Sequence, residues 1–146
     1  MTRQPNLLLS LLILLCLASA APALAQDDNE ATEEDAPGIT DYIAMDPPFI
    51  THVGQPGPKV SYLKAAVTLR ANRATTRAAV EAHMPRLRHE LVMLFGEQTD
   101  TDTLTTLAGQ EALREEAKKR INQVLEEQRT GEAVTEVLFT EFVVQK

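Results

Sequence analysis

The sequence has no tryptophan, and aromatic residues make up only 4% of its 146 residues. A hydrophobic core must therefore be built mainly from aliphatic side chains. Basic residues are also few, since 14 Lys and Arg stand against 21 Asp and Glu and give a net charge of −7. This balance disfavours nucleic acid as a partner, because such binding needs clustered cations to neutralise phosphates. The length allows one domain of ordinary size and excludes a large multidomain enzyme.

Cysteine is almost absent as well, because Cys16 is the single one. A lipoprotein signal would need a small residue just before this cysteine, whereas Leu15 stands there, so we reject a lipid anchor. The chain beyond it can have neither a disulfide framework nor thiolate metal ligands. Its stability must come from packing.

The N-terminus has the pattern of an export signal. Arg3 precedes an apolar run at Leu7–Leu17, and small residues then lead to Ala25. This order is typical of a secretory signal peptide cleaved after Ala25. An uncleaved membrane anchor is the alternative, because Leu7 to Ala25 is 19 residues long and a spanning helix needs about 17 to 25. In both cases the remainder of the chain is expected to be exported.

Acidic residues are concentrated just after this segment. Residues 26–46 carry eight of them and no Lys or Arg, whereas residues 47–146 hold 13 acidic and 13 basic residues. The eight are Asp27, Asp28, Glu30, Glu33, Glu34, Asp35, Asp41 and Asp46. Like charges and few large apolar groups predict a disordered tether. We therefore divide the chain into a signal peptide or anchor (1–25), an acidic disordered tether (26–46) and an exported domain (47–146). The folded region is expected to begin near Ile39.

Two segments at the start of the domain indicate strands. Pro and Gly residues bracket a short extended piece at Phe49–Val53, and a longer one follows at Lys59–Arg70. The second alternates apolar and polar or small residues, as a half-buried strand does. Its apolar positions are Leu63, Ala65, Val67 and Leu69. The Gly/Pro loop between the two pieces predicts an antiparallel pair.

Two helical stretches follow, at 75–95 and 106–128. Pro85 should kink the first stretch or start a new helix at its first turn. The apolar residues of both recur at helical spacing and predict buried stripes. These stripes are Leu87, Leu91, Leu94 and Phe95 in the first helix, and Leu113, Ala117, Ile121, Val124 and Leu125 in the second. On the solvent side of the second helix, Glu115 and Lys119 are four residues apart and are expected to pair.

The last segment, 133–144, is apolar in both of its alternating sets. We interpret it as an interior strand with both faces partly covered, and as the most buried strand of the sheet. The order strand, strand, helix, helix, strand predicts an α+β domain with a small mixed sheet packed against two helices.

Residues with catalytic or metal-binding chemistry are sparse. The histidines are His52, His83 and His89. The last two would diverge by about 120° around a helix, so a solvent-facing role is favoured over metal binding. The carboxylate pairs at 115–116 and 126–127 lie mostly off the apolar stripe and are expected to be solvated. No nucleophile elbow or phosphate loop is present, so we predict no catalytic, cofactor-binding or metal residues, no cofactor and no enzymatic activity.

Several blocks of the sequence resemble, in the same order, those of the flagellar basal-body-associated FliL family. The blocks are Asp46–Ile50, Tyr62–Leu69, Met84–Arg88, Leu104–Arg114, Ile121–Leu125 and Val137–Gln145. Together they span most of the chain beyond the N-terminal segment, from residue 46 to residue 145. Family members typically have a longer cytoplasmic start and an uncleaved membrane helix, whereas six residues precede Leu7 here.

The resemblance implies a fold similar to the stomatin-type (SPFH-like) domain on the periplasmic side of the inner membrane. It also implies homo-oligomeric rings around the stator units of the flagellar motor, with flagellar stator and basal-body proteins as partners and a part in torque, swimming or swarming, and chemotaxis. The membrane would be a further partner if the anchor is not cleaved. The alternative is a periplasmic binding or adaptor module unrelated to flagella.

Overall fold

A computed structural model describes residues 38–146 as four strands and four helices. In chain order these are β1 (Asp41–Ala44), β2 (Phe49–Val53), β3 (Ser61–Ala71), α1 (Ala74–Ala82), α2 (Met84–Gly96), α3 (Thr101–Leu104), α4 (Leu107–Glu127) and β4 (Glu136–Gln145). The signal peptide or anchor, Cys16 and the tether up to residue 37 lie outside the described residues.

The sheet is built around β3. Strand β4 pairs along one side of β3, from Tyr62 to Arg70, while β1 and β2 lie end to end along the other side. Every pairing is antiparallel. The α+β class and the antiparallel pairing of β2 with β3 are therefore confirmed, whereas the prediction of a mixed sheet is wrong. β1 and β2 run in the same direction but lie end to end along one side of β3, so they do not pair with each other and no parallel pair forms among the described strands.

The inner face of the sheet packs against the helices and forms the core. The alternating set predicted for β3 is fully or almost fully buried, and so are the predicted stripes of α2 and α4. The four phenylalanines form one chain of ring contacts through the core. Phe49 and Phe95 meet edge to face at 5.5 Å between centroids, Phe95 and Phe139 at 6.0 Å, and Phe139 stacks on Phe142 at 5.0 Å.

Pro85 lies in the first turn of α2. Backbone amides of a first turn have no acceptor within the helix, so the missing amide proton of proline breaks no hydrogen bond there. The expected break of the first helical stretch is thus confirmed, with α1 ending at Ala82 and α2 starting at Met84. Between the two helical stretches predicted at 75–95 and 106–128, the structure has a further short helix, α3. Its first turn is capped by Asp100, whose carboxylate accepts hydrogen bonds from the amides of Asp102 and Thr103.

The prediction that the C-terminal strand is an interior strand is wrong. Among the described residues β4 pairs only with β3 and is an edge strand, and β3 is the most buried strand. A β-bulge explains the misleading pattern, because Thr140 is an extra residue between the partners of Ala66 and Val67. The bulge shifts the alternation by one position. Inward-facing residues are therefore odd-numbered before it and even-numbered after it, namely Val137, Phe139, Phe142 and Val144.

The end predicted for the tether is also wrong. Strand β1 lies inside residues 26–46, and its Ile43 and the following Met45 are buried. Asp41 binds the Arg77 guanidinium of α1 through two hydrogen bonds of 2.9 and 2.6 Å. Two of the eight acidic residues counted in the tether thus belong to the folded domain, in agreement with the expectation that the folded region begins near Ile39.

The likeness to the stomatin-type domain stays a prediction.

Within residues 38–146, no helix combines the length and apolarity that crossing a bilayer requires.

Candidate interaction surface

The outer face of the sheet, opposite the helices, carries exposed apolar side chains on three adjacent strands. The strand register places Ile50 of β2 beside Lys64 of β3, and Lys64 beside Val143 of β4. Tyr62 lies two residues before Lys64 and therefore points to the same face. Three strands thus contribute to one row of side chains.

These side chains are open to solvent. Ile50 is 70% exposed, Val143 50% and Tyr62 39%. They line a shallow groove of about 400 Å³ that also includes Lys64, Glu141 and Gln145. We call these six residues the outer-face patch. Exposed apolar residues scattered singly need no explanation, but contiguous ones mark interaction sites.

Ion pairs between strands cross the same face. The Lys64 ammonium lies 2.8 Å from a Glu141 carboxylate oxygen, and Arg70 lies 3.3 Å from Glu136. All four side chains are about half exposed, so each pair contributes little to stability. The pairs nevertheless leave this face with no net charge, because each cation is matched by an anion.

Three of the carboxylates predicted to be solvated on α4 lie near cations, and Glu127 lies 3.9 Å from Arg86 of α2. Glu115 pairs with Lys118 at 2.7 Å, and Glu116 pairs with Arg120 at 3.2 Å. The expected Glu115–Lys119 pair is wrong, since Lys119 lies 3.6 Å from Glu116 instead. Pairs three apart are as close on a helix surface as pairs four apart, and spacing alone does not choose between them.

The three histidines occupy different places. His52 is exposed on the outer face, where its ring meets that of Tyr62 edge to face at 4.6 Å. His83 is half-buried between α1 and α2, and His89 is exposed on α2. Among residues 38–146, no group of three or more His, Cys, Asp or Glu side chains is placed to hold a metal ion.

Polar contacts away from the outer face join α1 to β1, α1 to the loop before β4, and the end of α2 to α4. Hydrogen bonds from Arg77 hold the pKa of Asp41 below its ordinary value, and burial opposes this only in part. The hydroxyl groups of Thr76 and Thr75 each donate a 2.7 Å hydrogen bond to Glu132, and they lower the pKa of that carboxyl in the same way. A hydrogen bond from Arg120 likewise lowers the pKa of Glu97. These carboxylates already have partners, which indicates a structural part for them.

Sequence reasoning missed the outer-face patch. Ile50, Tyr62 and Val143 come from three separate segments, and only the strand register brings them together. The one available signal was the apolar content of both alternating sets in residues 133–144, which we attributed to burial.

Comparison with known proteins identifies the family. Residues 42–145 match the family described as flagellar basal body-associated protein FliL. The chain is 33% identical over 101 residues to the flagellar protein FliL of Aquifex aeolicus, a match that covers 69% of this chain and 59% of that protein. It is 29% identical over 149 aligned positions to the flagellar protein FliL of Escherichia coli, covering 96% of this chain and 92% of that one. The family match includes all of β2, β3, the four helices and β4 and most of β1, so the chain belongs to the flagellar basal body-associated FliL family.

Proposed function

We propose that this protein is a non-enzymatic accessory protein of the bacterial flagellar motor. It associates with the basal body and the stator units on the periplasmic side of the inner membrane, and it supports torque, motility and chemotaxis. The observation that carries the proposal is the family match over residues 42–145. That match covers nearly the whole described domain, which supports placing the flagellar role in this fold.

The chemistry of the domain supports action through contact. The outer-face patch offers apolar side chains to solvent, and its one cation, Lys64, is paired with Glu141. Residues 47–146 have balanced charge, so copies of the domain do not repel one another strongly. We therefore include homo-oligomers, arranged as a ring around a stator partner, in the proposal.

Deletion of the gene in its own organism tests the flagellar role. We expect reduced swimming, swarming or both, and recovery when the full chain is supplied from a plasmid. Flagella should be counted by electron microscopy in the same strains, because a loss of filaments would indicate a part in assembly instead of torque. Unchanged swimming and swarming, including in viscous medium where the load is high, would contradict the proposal.

The N-terminal segment decides how the domain is held. N-terminal sequencing of the protein from membrane and periplasmic fractions distinguishes a mature start at Gln26 from an intact Met1.

We propose that residues 26–37 act only as a spacer. Replacing their acidic residues by Ser and Gly at constant length should then leave motility nearly intact, whereas removing about ten residues should impair it if the protein is anchored. Loss of motility on charge removal alone would mean that the tether is itself a binding site.

A further inference from the structure

We propose that copies of this chain join edge to edge, with β4 of one copy pairing in parallel with β2 of the next. The inference rests on the ring of copies included in the proposed function, and it names the two surfaces that meet at each junction. Such a contact is head-to-tail, because it uses different surfaces of the two copies, and repeated head-to-tail contacts can close into a ring. The family match specifies neither surface.

The sheet has two open edges at the same level. Among residues 38–146, β2 and β4 each pair with β3 alone. Strand β2 lies beside residues 61–65 of β3, and the part of β4 after the bulge, residues 141–145, lies beside residues 62–66. An unpaired edge presents backbone amide and carbonyl groups to which another strand can bind. A second copy can therefore place its β2 beside β4 without shifting along the strands.

The part of the edge formed by β1 is already occupied. Arg77 donates a 3.1 Å hydrogen bond to the carbonyl of Tyr42 in β1, and Arg88 donates one of 2.8 Å to the carbonyl of Met45 just after it. In the part of the chain that the structure describes, the side-chain hydrogen bond to the backbone of β2 is 3.5 Å long and comes from its own Thr51. The β2 and β4 edges are thus the ones left for a partner.

The exposed apolar residues of the outer face are separated within one copy but adjacent across this junction. Ile50 is 70% exposed and Val143 50%. Within one copy Lys64, paired with Glu141, stands between them. When β4 of one copy lies beside β2 of the next at the same level, Val143 becomes the direct neighbour of Ile50. Apolar neighbours on adjacent strands stabilise a sheet, so the junction buries side chains that a single copy leaves in water.

The inner face favours the same arrangement. Phe142 and Val144 point towards the helices but are only partly buried. At the junction Phe142 comes beside Phe49 of the next copy, where the Arg88 guanidinium lies 4.2 Å from the centre of the Phe49 ring. Val92 follows one turn after Arg88 on the same side of α2 and is 44% exposed. The next copy therefore brings an apolar side chain and a cation to the half-buried end of β4.

Strand direction and charge favour this contact over a symmetrical one. Strands β2 and β4 are both antiparallel to β3 and so run in the same direction. Neighbours in a ring of many copies keep nearly the same orientation, which makes the junction parallel. Strand β4 carries the carboxylates Glu136 and Glu141 and no Lys or Arg, whereas β2 carries no charged residue. Two β4 edges placed together would bring four carboxylates to one junction, but β4 beside β2 sets them against an uncharged strand.

Disulfide cross-linking in cells tests the proposal. Ile50→Cys and Val143→Cys are combined with Cys16→Ser, which removes the single natural cysteine, and the altered gene replaces the chromosomal copy so that every partner is present. Cα atoms on neighbouring strands lie about 5 Å apart, within disulfide range, whereas these two positions within one copy are two strands and about 10 Å apart. We expect a ladder of covalent multimers on a non-reducing gel.

Single variants and a matched pair serve as controls. Val143→Cys or Ile50→Cys alone should stay monomeric, and cells that make both single variants should give dimers but nothing longer. Met93→Cys with Val143→Cys is the matched control, because Met93 is 48% exposed but lies five residues after Arg88, on another side of α2. This control should form at least tenfold less multimer than the Ile50 and Val143 pair.

A second cysteine pair tests the register. His52 and Gln145 are exposed and lie two residues farther along the same two strands, so they are the next neighbours on the outer face of the junction. His52→Cys with Gln145→Cys should therefore give the same ladder. Thermal unfolding of each purified full chain in mild detergent, followed by circular dichroism, checks that the variants are folded.

The outcomes separate this inference from the proposed function. Covalent dimers from Val143→Cys alone would overturn the head-to-tail arrangement. Folded variants of both cysteine pairs that cross-link no more than the Met93 control would overturn the edge contact and leave the flagellar role in place. Unchanged motility after deletion of the gene would overturn the proposed function itself, whatever the gels show.

Discussion

Gly109 should be the least replaceable glycine of the domain. It is buried in the first turn of α4, where it packs against the end of α3. A Cβ atom added there would lie 2.8 Å from the carbonyl carbon of Thr103 and 2.9 Å from its Cγ2, and nearer still to the carbonyl oxygen. Two of these three atoms belong to the backbone, so Gly109→Ala requires α3 and α4 to move apart.

The magnitude follows from two opposing effects. Overpacking of this kind costs about 1 to 3 kcal/mol, whereas Ala is favoured over Gly inside a helix by about 1 kcal/mol. The movement also strains the 3.0 Å hydrogen bond that Thr106 Oγ1 accepts from the Gly109 amide at the start of α4. Losing such a cap costs a further 1 kcal/mol or so. We expect a net loss of about 1 to 3 kcal/mol in the free energy of unfolding.

Gly96→Ala is the matched control, because Gly96 is also helical and a Cβ there meets only the Thr51 hydroxyl oxygen at 3.9 Å. It should leave stability unchanged or raise it slightly. Urea unfolding followed by circular dichroism measures both free energies, and thermal melts should show Tm lowered by about 4 to 8 °C for each kcal/mol lost. If Gly109→Ala were as stable as Gly96→Ala, the close packing of α3 on α4 would be refuted.

Three further predictions concern stability. Thr106→Ala should lower the free energy of unfolding by about 1 kcal/mol, measured in urea, and an unchanged value would show that this side chain does not cap α4. The folded-state pKa of Glu132 is lowered, so its contribution is present above the ordinary value of 4.5 and is lost as pH falls through the folded value. Glu132→Gln should therefore reduce stability at pH 7 and flatten its fall below about pH 4.5, whereas an identical pH profile would contradict the assignment. Truncation after Gly131 removes β4 and should abolish cooperative unfolding, because several inward side chains worth about 1.5 to 3 kcal/mol each are lost; a truncated chain that melts cooperatively would disprove it.

Much of the interior could be predicted because it depends on local periodicity. The stripes of α2 and α4 repeat every three or four residues, and the buried set of β3 repeats every two. Pro85 has a fixed backbone angle and no amide proton, so its effect on the helix is a local matter too. Such signals need no knowledge of the rest of the fold.

The errors occurred where a local pattern depended on a distant partner. β1 has four residues, one of them acidic, and it is a strand because β3 pairs with it and Arg77 binds Asp41. The bulge at Thr140 is visible only in the pairing with Ala66 and Val67, so the apolar residues of β4 seemed to cover two faces. The outer-face patch was unpredictable for the same reason, since it exists only once three strands are in register.

The position of β3 also sets the order in which the chain can fold. Its partners β1 and β2 precede it closely, whereas β4 follows only after all four helices, and the Lys64–Glu141 pair joins residues 77 positions apart. Contacts of such long range slow folding. At a synthesis rate of about 5 to 20 residues per second, β4 is completed several seconds after β3, and one edge of β3 stays unpaired until then. During that interval β3 presents a bare, mostly apolar strand edge, which makes it the segment where mispairing between nascent chains should begin.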